Sequence, residues 1–211
     1  MSPEVITGEQ EAALSFLGAV RGLPRAPASP VLVVDIGGGS TEFVLGTRQQ
    51  DSWRLDHSIS VDIGCVRMSE RHLAGDPPTA EEVARVRADV DAALDRVRAQ
   101  LPVAGASMVG LAGTVTTMAA MALDLSAYDA VRQHGAVLSA AEVDRVADLL
   151  VGMTRAERAR LPFMHPGRVD VIGGGALILQ AIMATFQVPE VVVSECDLLD
   201  GMVYRSAVNS R

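Results

Sequence analysis

The sequence predicts an α/β domain with a mixed sheet of about five strands flanked by helices. Three observations predict it. Two β-rich apolar runs flank a glycine cluster over residues 31–45, V-L-V-V-D-I-G-G-G-S-T-E-F-V-L, and read as antiparallel strands joined by a wide hairpin loop. A further run over 52–63 extends the pair into a meander. Residues 107–117, S-M-V-G-L-A-G-T-V-T-T, read as a short buried strand leading into a helix. A strand followed by a helix implies a crossover, and therefore a parallel neighbour in the same sheet.

The remaining elements follow in chain order. Thr7 and Gln10 form a capping box that opens a helix to about Arg21, with Ala13, Leu14, Leu17 and Val20 as its inner stripe. Three prolines in 22–30 end it and make that stretch a connector. After the meander, 64–72 reads as a short helix. Thr79 with Glu82 caps the clearest helix, 80–101, with Val83, Val86, Val90 and Val97 on one face and charges on the rest. Residues 126–135, with Tyr128 and His134, have no period and read as an irregular insertion. Ser139 with Glu142, and Thr154 with Glu157, open two further helices, near 140–151 and 155–160. His165 to Arg168 is a loop, 176–186 is an apolar helix, 191–193 a last short strand, and 197–207 a closing helix.

The bulk numbers narrow the function classes. The 211 residues are 49% hydrophobic and carry a net charge of −8, which fits one α/β domain, or one large lobe of a bigger enzyme, with ample core. An acidic chain lacks the basic surface that nonspecific nucleic-acid binding needs, so no nucleic-acid partner is expected. All 18 basic residues are arginine, a feature ascribed to the base composition of the gene. Cys65 and Cys196 stand far apart with no metal-binding spacing, which fits a reduced compartment. No apolar run reaches the ~20 residues of a membrane span and no signal-peptide pattern opens the chain, so the expected location is cytoplasmic.

The hairpin loop carries the chemistry. Glycines lack a Cβ, so the amides of Gly37, Gly38 and Gly39, with Ser40, can line a concave nest for an oxyanion. Asp35 ends one strand and Glu42 starts the next. Across a hairpin, two such carboxylates come within roughly 5–8 Å when they share a face. A phosphate nest beside two carboxylates suits Mg²⁺, which takes one or two protein carboxylates plus phosphate oxygens and water. The bland alternative is a glycine-rich turn with solvent-facing acids, but Asp-Gly alone would serve an ordinary hairpin.

Other candidates stay open at this level. Gly113 and Thr114 stand where a helix N-terminus offers free amides to an anion, or where strand and helix pack closely. Glu11 lies in the first turn of the first helix, where it either favours the helix dipole or serves chemistry. The triplet Gly173 to Gly175 reads equally as helix packing or as a ligand-facing turn. Arg168 is either an anion partner or a surface loop residue.

Several segments resemble the exopolyphosphatase and guanosine pentaphosphate phosphohydrolase (Ppx/GppA) family, within the acetate kinase, sugar kinase, heat-shock chaperone and actin superfamily. D-I-G-G-G-S-T-E at 35–42 is similar to its phosphate loop, and I-T-G-E-Q-E-A at 6–12 to its I-S-G-x-E-E-A segment. G-L-A-G-T at 110–114 resembles its second phosphate segment. R-V-D-V-I-G-G-G-A at 168–176 and S-E-C-D-L-L-D-G-M at 194–202 resemble its closing motifs. The resemblance implies a ribonuclease H-like lobe. It implies Glu11 as the base toward the attacking water, Asp35 and Glu42 at the Mg²⁺ and water site, and Gly37 to Ser40 with Gly113 and Thr114 around phosphate. It also implies a departure: members have two such lobes, and residues 1–211 match only the second.

The implied function is Mg²⁺-assisted release of terminal phosphate from inorganic polyphosphate. Guanosine pentaphosphate is the alternative substrate. A kinase of the same superfamily and a phosphate-binding lobe without turnover are the alternatives of other classes. A lobe without its counterpart is also expected to self-associate through the uncovered face.

Overall fold

The computed structural model describes residues 6–50 and 52–209 of the chain. In order, its elements are α1 (Gly8–Arg21), β1 (Val31–Ile36), β2 (Thr41–Gln49), β3 (Ser52–Val61), α2 (Cys65–His72), α3 (Ala80–Gln100), β4 (Ser107–Leu111), α4 (Ala112–Ala122), α5 (Ala130–Gln133), β5 (Val137–Ser139), α6 (Ala140–Gly152), α7 (Arg155–Arg158), α8 (Ile172–Phe186), β6 (Glu190–Val193) and α9 (Leu198–Asn209). All four capping boxes read from the sequence form in full, at Thr7, Thr79, Ser139 and Thr154.

The strands lie in the order β3-β2-β1-β4-β6-β5. β1, β2 and β3 are an antiparallel meander, while β1, β4 and β6 run parallel through helical crossovers. This is the mixed sheet expected, with one correction: it has six strands and not five. The extra strand, β5, pairs antiparallel with β6 at the edge. It is three residues long and half polar in setting, with Val137 exposed and Leu138 buried. Three residues are too short for a period-two pattern to show, and tertiary pairing decides them. The stretch before β5, expected to be irregular, also holds the single turn α5, capped by Asp129.

The two sheet faces are unequal. Val31, Val33, Val44, Val109 and Leu111 face α1, packing on Phe16, Ala19 and Val20. Leu32, Val34, Ile36, Phe43 and Leu45 face the larger core, where α3, α6 and α8 bring Val86, Val90, Val146, Ile178 and Ile182. α8 is buried on nearly every side, as its continuous apolar sequence predicts. On the outer side α9 crosses α1 at backbone contact: a Cβ on Gly18 would stand 1.9 Å from the Asp197 carbonyl oxygen, and one on Gly201 2.0 Å from that of Leu14. Among the described residues, no helix is long and apolar enough to cross a membrane.

Candidate active site

The site gathers at the end of β1, where the parallel strands finish and the hairpin turns. Asp35 and Glu42 are direct partners in the β1–β2 register, so the pleat puts both side chains on the same face. It is the face that α1 covers. Glu11, in the first turn of α1, stands over the same ground. With Asp35, Glu42 and Ser60 it lines a depression of about 510 Å³ between helix and sheet.

Asp35 is the electrostatic centre of this depression. Burial pushes its carboxyl up from 3.8 to about 6, and the negative charges of Glu42, Asp197 and Glu11 add to the rise in that order. Glu42 is held differently. Its Oε1 accepts hydrogen bonds from the Ser40 hydroxyl at 2.6 Å and the Ser60 hydroxyl at 2.8 Å. The Ser40 side chain therefore serves Glu42, and only its backbone remains for the phosphate role expected of it.

The glycine loop is built on α2. The Cys65 amide donates to the Gly37 carbonyl at 2.9 Å, and those of Val66 and Arg67 to the Gly38 carbonyl at 3.0 Å. Arg67 Nε donates to the Gly39 carbonyl at 2.7 Å. The loop's carbonyls are thus drawn toward the first turn of α2. The Gly38 and Gly39 amides have no acceptor among the described residues. The Gly37 amide donates to the Ser40 carbonyl at 3.0 Å, so of the three glycine amides expected to line an oxyanion nest only those of Gly38 and Gly39 stay free.

The junction where β4 passes directly into α4 meets the hairpin loop. Ala112 takes the left-handed conformation, φ 68°, an arrangement a non-glycine residue adopts at a cost of order 1–3 kcal/mol and keeps where surroundings impose it. Gly113 follows it. Gly37, Gly38, Gly113, Thr114 and Arg168 line one pocket of about 310 Å³. Arg168 lies across the mouth of α4: Nη1 donates to the Thr117 hydroxyl at 3.1 Å, and that hydroxyl donates to the Gly113 carbonyl at 2.7 Å. A Cβ on Gly113 would come within 2.4 Å of the guanidinium. A cation seated against a helix N-terminus opposes the helix dipole, an arrangement that an anion between them resolves. The loop arginine thus lines the same pocket as Gly37, Gly38 and Gly113.

Two other candidates have structural settings. Thr114 is buried, with its hydroxyl against the backbone of Gly175, where a Cβ would meet it at 2.3 Å. The Gly173 to Gly175 triplet is itself buried, and a Cβ on Gly174 would stand 2.5 Å from Ser69 Oγ. Close packing accounts for the triplet, Gly174 against α2, Gly175 against Thr114 of α4 and Gly173 beside the Arg158 guanidinium. Asp197, unweighed in the sequence, contributes to the rise at Asp35 and lines a depression of about 260 Å³ with Gly113, Arg168, Tyr128 and Glu195. His134 anchors that segment, accepting from the Glu195 amide at 3.1 Å with its other ring nitrogen 2.7 Å from the Gly22 carbonyl.

The site therefore has two sides that meet at the hairpin: carboxylates toward α1, free amides and a guanidinium toward α4. Among the described residues, no three acidic, histidine or cysteine side chains enclose a metal position. Asp35 and Glu42 fit a magnesium ion nonetheless, since that ion needs one or two carboxylates and completes its shell with water and phosphate. Burial, and after it the neighbouring carboxylates, disfavour the ionised form of Asp35, and a cation would favour it.

The chain is similar to known proteins over most of its length. The chain is 47% identical over 204 residues to exopolyphosphatase 2 of Mycobacterium tuberculosis, covering 94% of this chain and 62% of that protein. It is 26% identical over 211 residues to a guanosine-5'-triphosphate,3'-diphosphate pyrophosphatase of Pseudoalteromonas atlantica, covering 95% of this chain and 37% of that one. Among solved structures, a Ppx/GppA family member of Aquifex aeolicus superposes with TM-score 0.88 at 32% identity, covering 99% of this chain and 65% of the other. The chain thus spans about three fifths of the length of the exopolyphosphatase it matches. The model of the Ppx/GppA phosphatase family matches residues 2–210, and the chain belongs to that family.

Proposed function

We propose that this chain is the catalytic lobe of a phosphohydrolase that releases terminal phosphate from inorganic polyphosphate. The observation that carries the reading is the pairing of Asp35 with Glu42 on one side of the hairpin, and of Gly38, whose amide is free, with Arg168 on the other. The identity with a mycobacterial exopolyphosphatase supports the substrate.

The terminal phosphoryl group sits against the loop amides, with Arg168 and the Gly113 amide toward its bridging oxygens. Glu11 takes a proton from a water molecule as the water oxygen bonds to phosphorus. The bridging P–O bond breaks on the opposite side, and its electron pair leaves with the shortened chain. Phosphoryl transfer depends mainly on positioning and on charge stabilisation. The amides meet the equatorial oxygens and the guanidinium meets the leaving chain. Asp35 and Glu42 Oε2 would hold Mg²⁺, which when bound neutralises phosphate charge and orders the attacking water.

The chain has one phosphate hairpin, and the reading assigns the opposite wall of the cleft to a second lobe of family type. Without that wall the electrostatic stabilisation is screened by water, so the 211 residues alone turn over slowly. The test compares phosphate release from polyphosphate, with Mg²⁺, by this chain and by the same chain preceded by a family-type first lobe, each with Glu11→Gln. Glu11-dependent release only from the longer protein supports the reading. Equal, Glu11-dependent release from both shows that one lobe is enough, and release indifferent to Glu11 removes the mechanism. Guanosine pentaphosphate, assayed in parallel, is the alternative substrate, favoured by the similarity to a pyrophosphatase of that nucleotide.

A further inference from the structure

Glu42 has two carboxylate oxygens in different circumstances. Oε1 accepts from both Ser40 and Ser60, at 2.6 and 2.8 Å. Oε2 has no donor among the described residues, and it faces the loop, 4.0 Å from where a Cβ on Gly37 would stand. The two serines come from different places. Ser40 precedes β2, whereas Ser60 belongs to β3 and is the register partner of Glu42 across the β2–β3 pair.

We propose that Ser60 is a positioning residue for Glu42: its hydroxyl fixes which carboxylate oxygen is offered to metal and water. The terminal torsion of a glutamate is broad and roughly two-fold, so an untethered carboxylate exchanges its two oxygens freely. A single donor leaves the group free to pivot about that bond. Two donors converging on one oxygen, one from the loop and one from the neighbouring strand, remove the pivot. They also occupy both lone pairs of Oε1, which leaves Oε2 as the ligand atom. Outer hydrogen bonds of this kind orient metal-binding carboxylates, and their loss weakens metal binding or activity by about 10–100-fold.

Packing gives no reason for a serine here. Ser60 is exposed, and strand positions on a half-open face favour β-branched or aromatic residues. Ser58, two residues earlier on the same face, pairs with Val44. It makes no hydrogen bond to a site carboxylate and so provides the internal control.

The inference rests on the reading of Glu42 as a metal and water ligand, and its test separates the two. Mn²⁺ binding to the 211-residue chain is measured by calorimetry at pH 7.5, with thermal melts alongside. Ser60→Ala is expected to weaken Mn²⁺ binding about tenfold with an unchanged Tm. Ser60→Thr, which keeps the hydroxyl, restores the affinity, and Ser58→Ala leaves it as in the native chain. If Ser60→Ala binds Mn²⁺ normally while Glu42→Gln does not, Glu42 needs no tether and the proposal falls alone. If Glu42→Gln also binds normally, the metal reading of Glu42 falls and the proposal with it. A lowered Tm with unchanged affinity would make Ser60 merely structural and overturn the proposal as well.

Discussion

Asp35 and Glu42 face each other directly across β1 and β2, on the side of the sheet that α1 covers. Two carboxylates in register, one of them largely buried, are held against their own repulsion by the strands. The Asp35 carboxyl is pushed up to about 6, by burial first and by Glu42, Asp197 and Glu11 after it.

That shift has a definite consequence for stability. The folded chain holds the Asp35 proton at pH values where the unfolded chain has released it. Its contribution is therefore fully present below the unfolded value of 3.8 and is lost as the pH rises through about 6. A shift of about two units corresponds to about 3 kcal/mol. Asp35→Asn removes the charge and keeps the shape. Chemical denaturation should find the variant about 2–3 kcal/mol more stable than the native chain at pH 7.5 and equal to it near pH 3.5.

A cation at the pair should show the same pH window. Mg²⁺ bound only by the folded state adds about 1.4 kcal/mol at ten times its dissociation constant. Above pH 6 it meets an ionised Asp35, and below pH 5 it competes with a proton. Thermal melts with and without Mg²⁺ should therefore show a Tm rise at pH 7.5 that shrinks at pH 5, and none in Asp35→Asn at either pH.

How far these features were legible in the sequence depends on distance along the chain. The hairpin, the β4–α4 junction and the four capping boxes are written within a dozen residues each, and local pattern is enough for them. Asp35 and Glu42 were legible as a pair because a short hairpin leaves few registers. The double tether on Glu42 was not, since Ser60 reaches it only through the β2–β3 register, which includes a bulge between Leu45 and Gly46. Arg168 lies 51 positions beyond its hydrogen-bond partner Thr117, and a lone loop arginine has no local mark of what it will meet. Gly173 to Gly175 looked like a second nest because glycine serves close packing and anion binding alike. Only its burial against Ser69, Thr114 and Arg158, all distant in sequence, decides between them.

Glu11 can be tested against its neighbour. Glu9 and Glu11 both lie in the first turn of α1, where an acid favours the helix by about 0.3–1 kcal/mol. Glu9→Gln and Glu11→Gln should thus cost similar, small amounts of stability. Only Glu11→Gln should lower phosphate release, by about 10²–10⁴-fold, as expected for the loss of a general base. Equal activity losses in the two variants would reduce Glu11 to a helix-dipole residue.

The seat of Arg168 gives a further contrast. A Cβ on Gly113 would lie 2.4 Å from the guanidinium, the flexible end of a long side chain. Gly113→Ala should therefore displace Arg168 and leave the fold nearly unchanged. Loss of one charge-assisted contact, about 1.5 kcal/mol, predicts about tenfold weaker binding of pyrophosphate by calorimetry. Gly152, the last residue of α6, has open space where its Cβ would go. Gly152→Ala should instead stabilise the chain by about 0.5–1 kcal/mol and bind pyrophosphate normally.

The glycine loop itself depends on Gly64, the residue before α2. A Cβ there would stand 2.3 Å from the Gly38 carbonyl oxygen and 2.5 Å from the Gly39 nitrogen. Both are backbone atoms, so nothing can rotate aside, and the β3–α2 turn and the loop would have to separate. That separation stretches the bonds from the Cys65, Val66 and Arg67 amides to the Gly37 and Gly38 carbonyls. The loop would lose the support that turns its own amides outward. Gly64→Ala should cost about 1–3 kcal/mol of stability, the usual range for overpacking. Its effect on pyrophosphate binding should exceed that of Gly113→Ala, because the whole nest shifts and not one cation. Amide hydrogen exchange should register the change in the first turn of α2 and leave α6 as it was. A variant that melts like the native chain and binds pyrophosphate as tightly would show that α2 does not shape the nest.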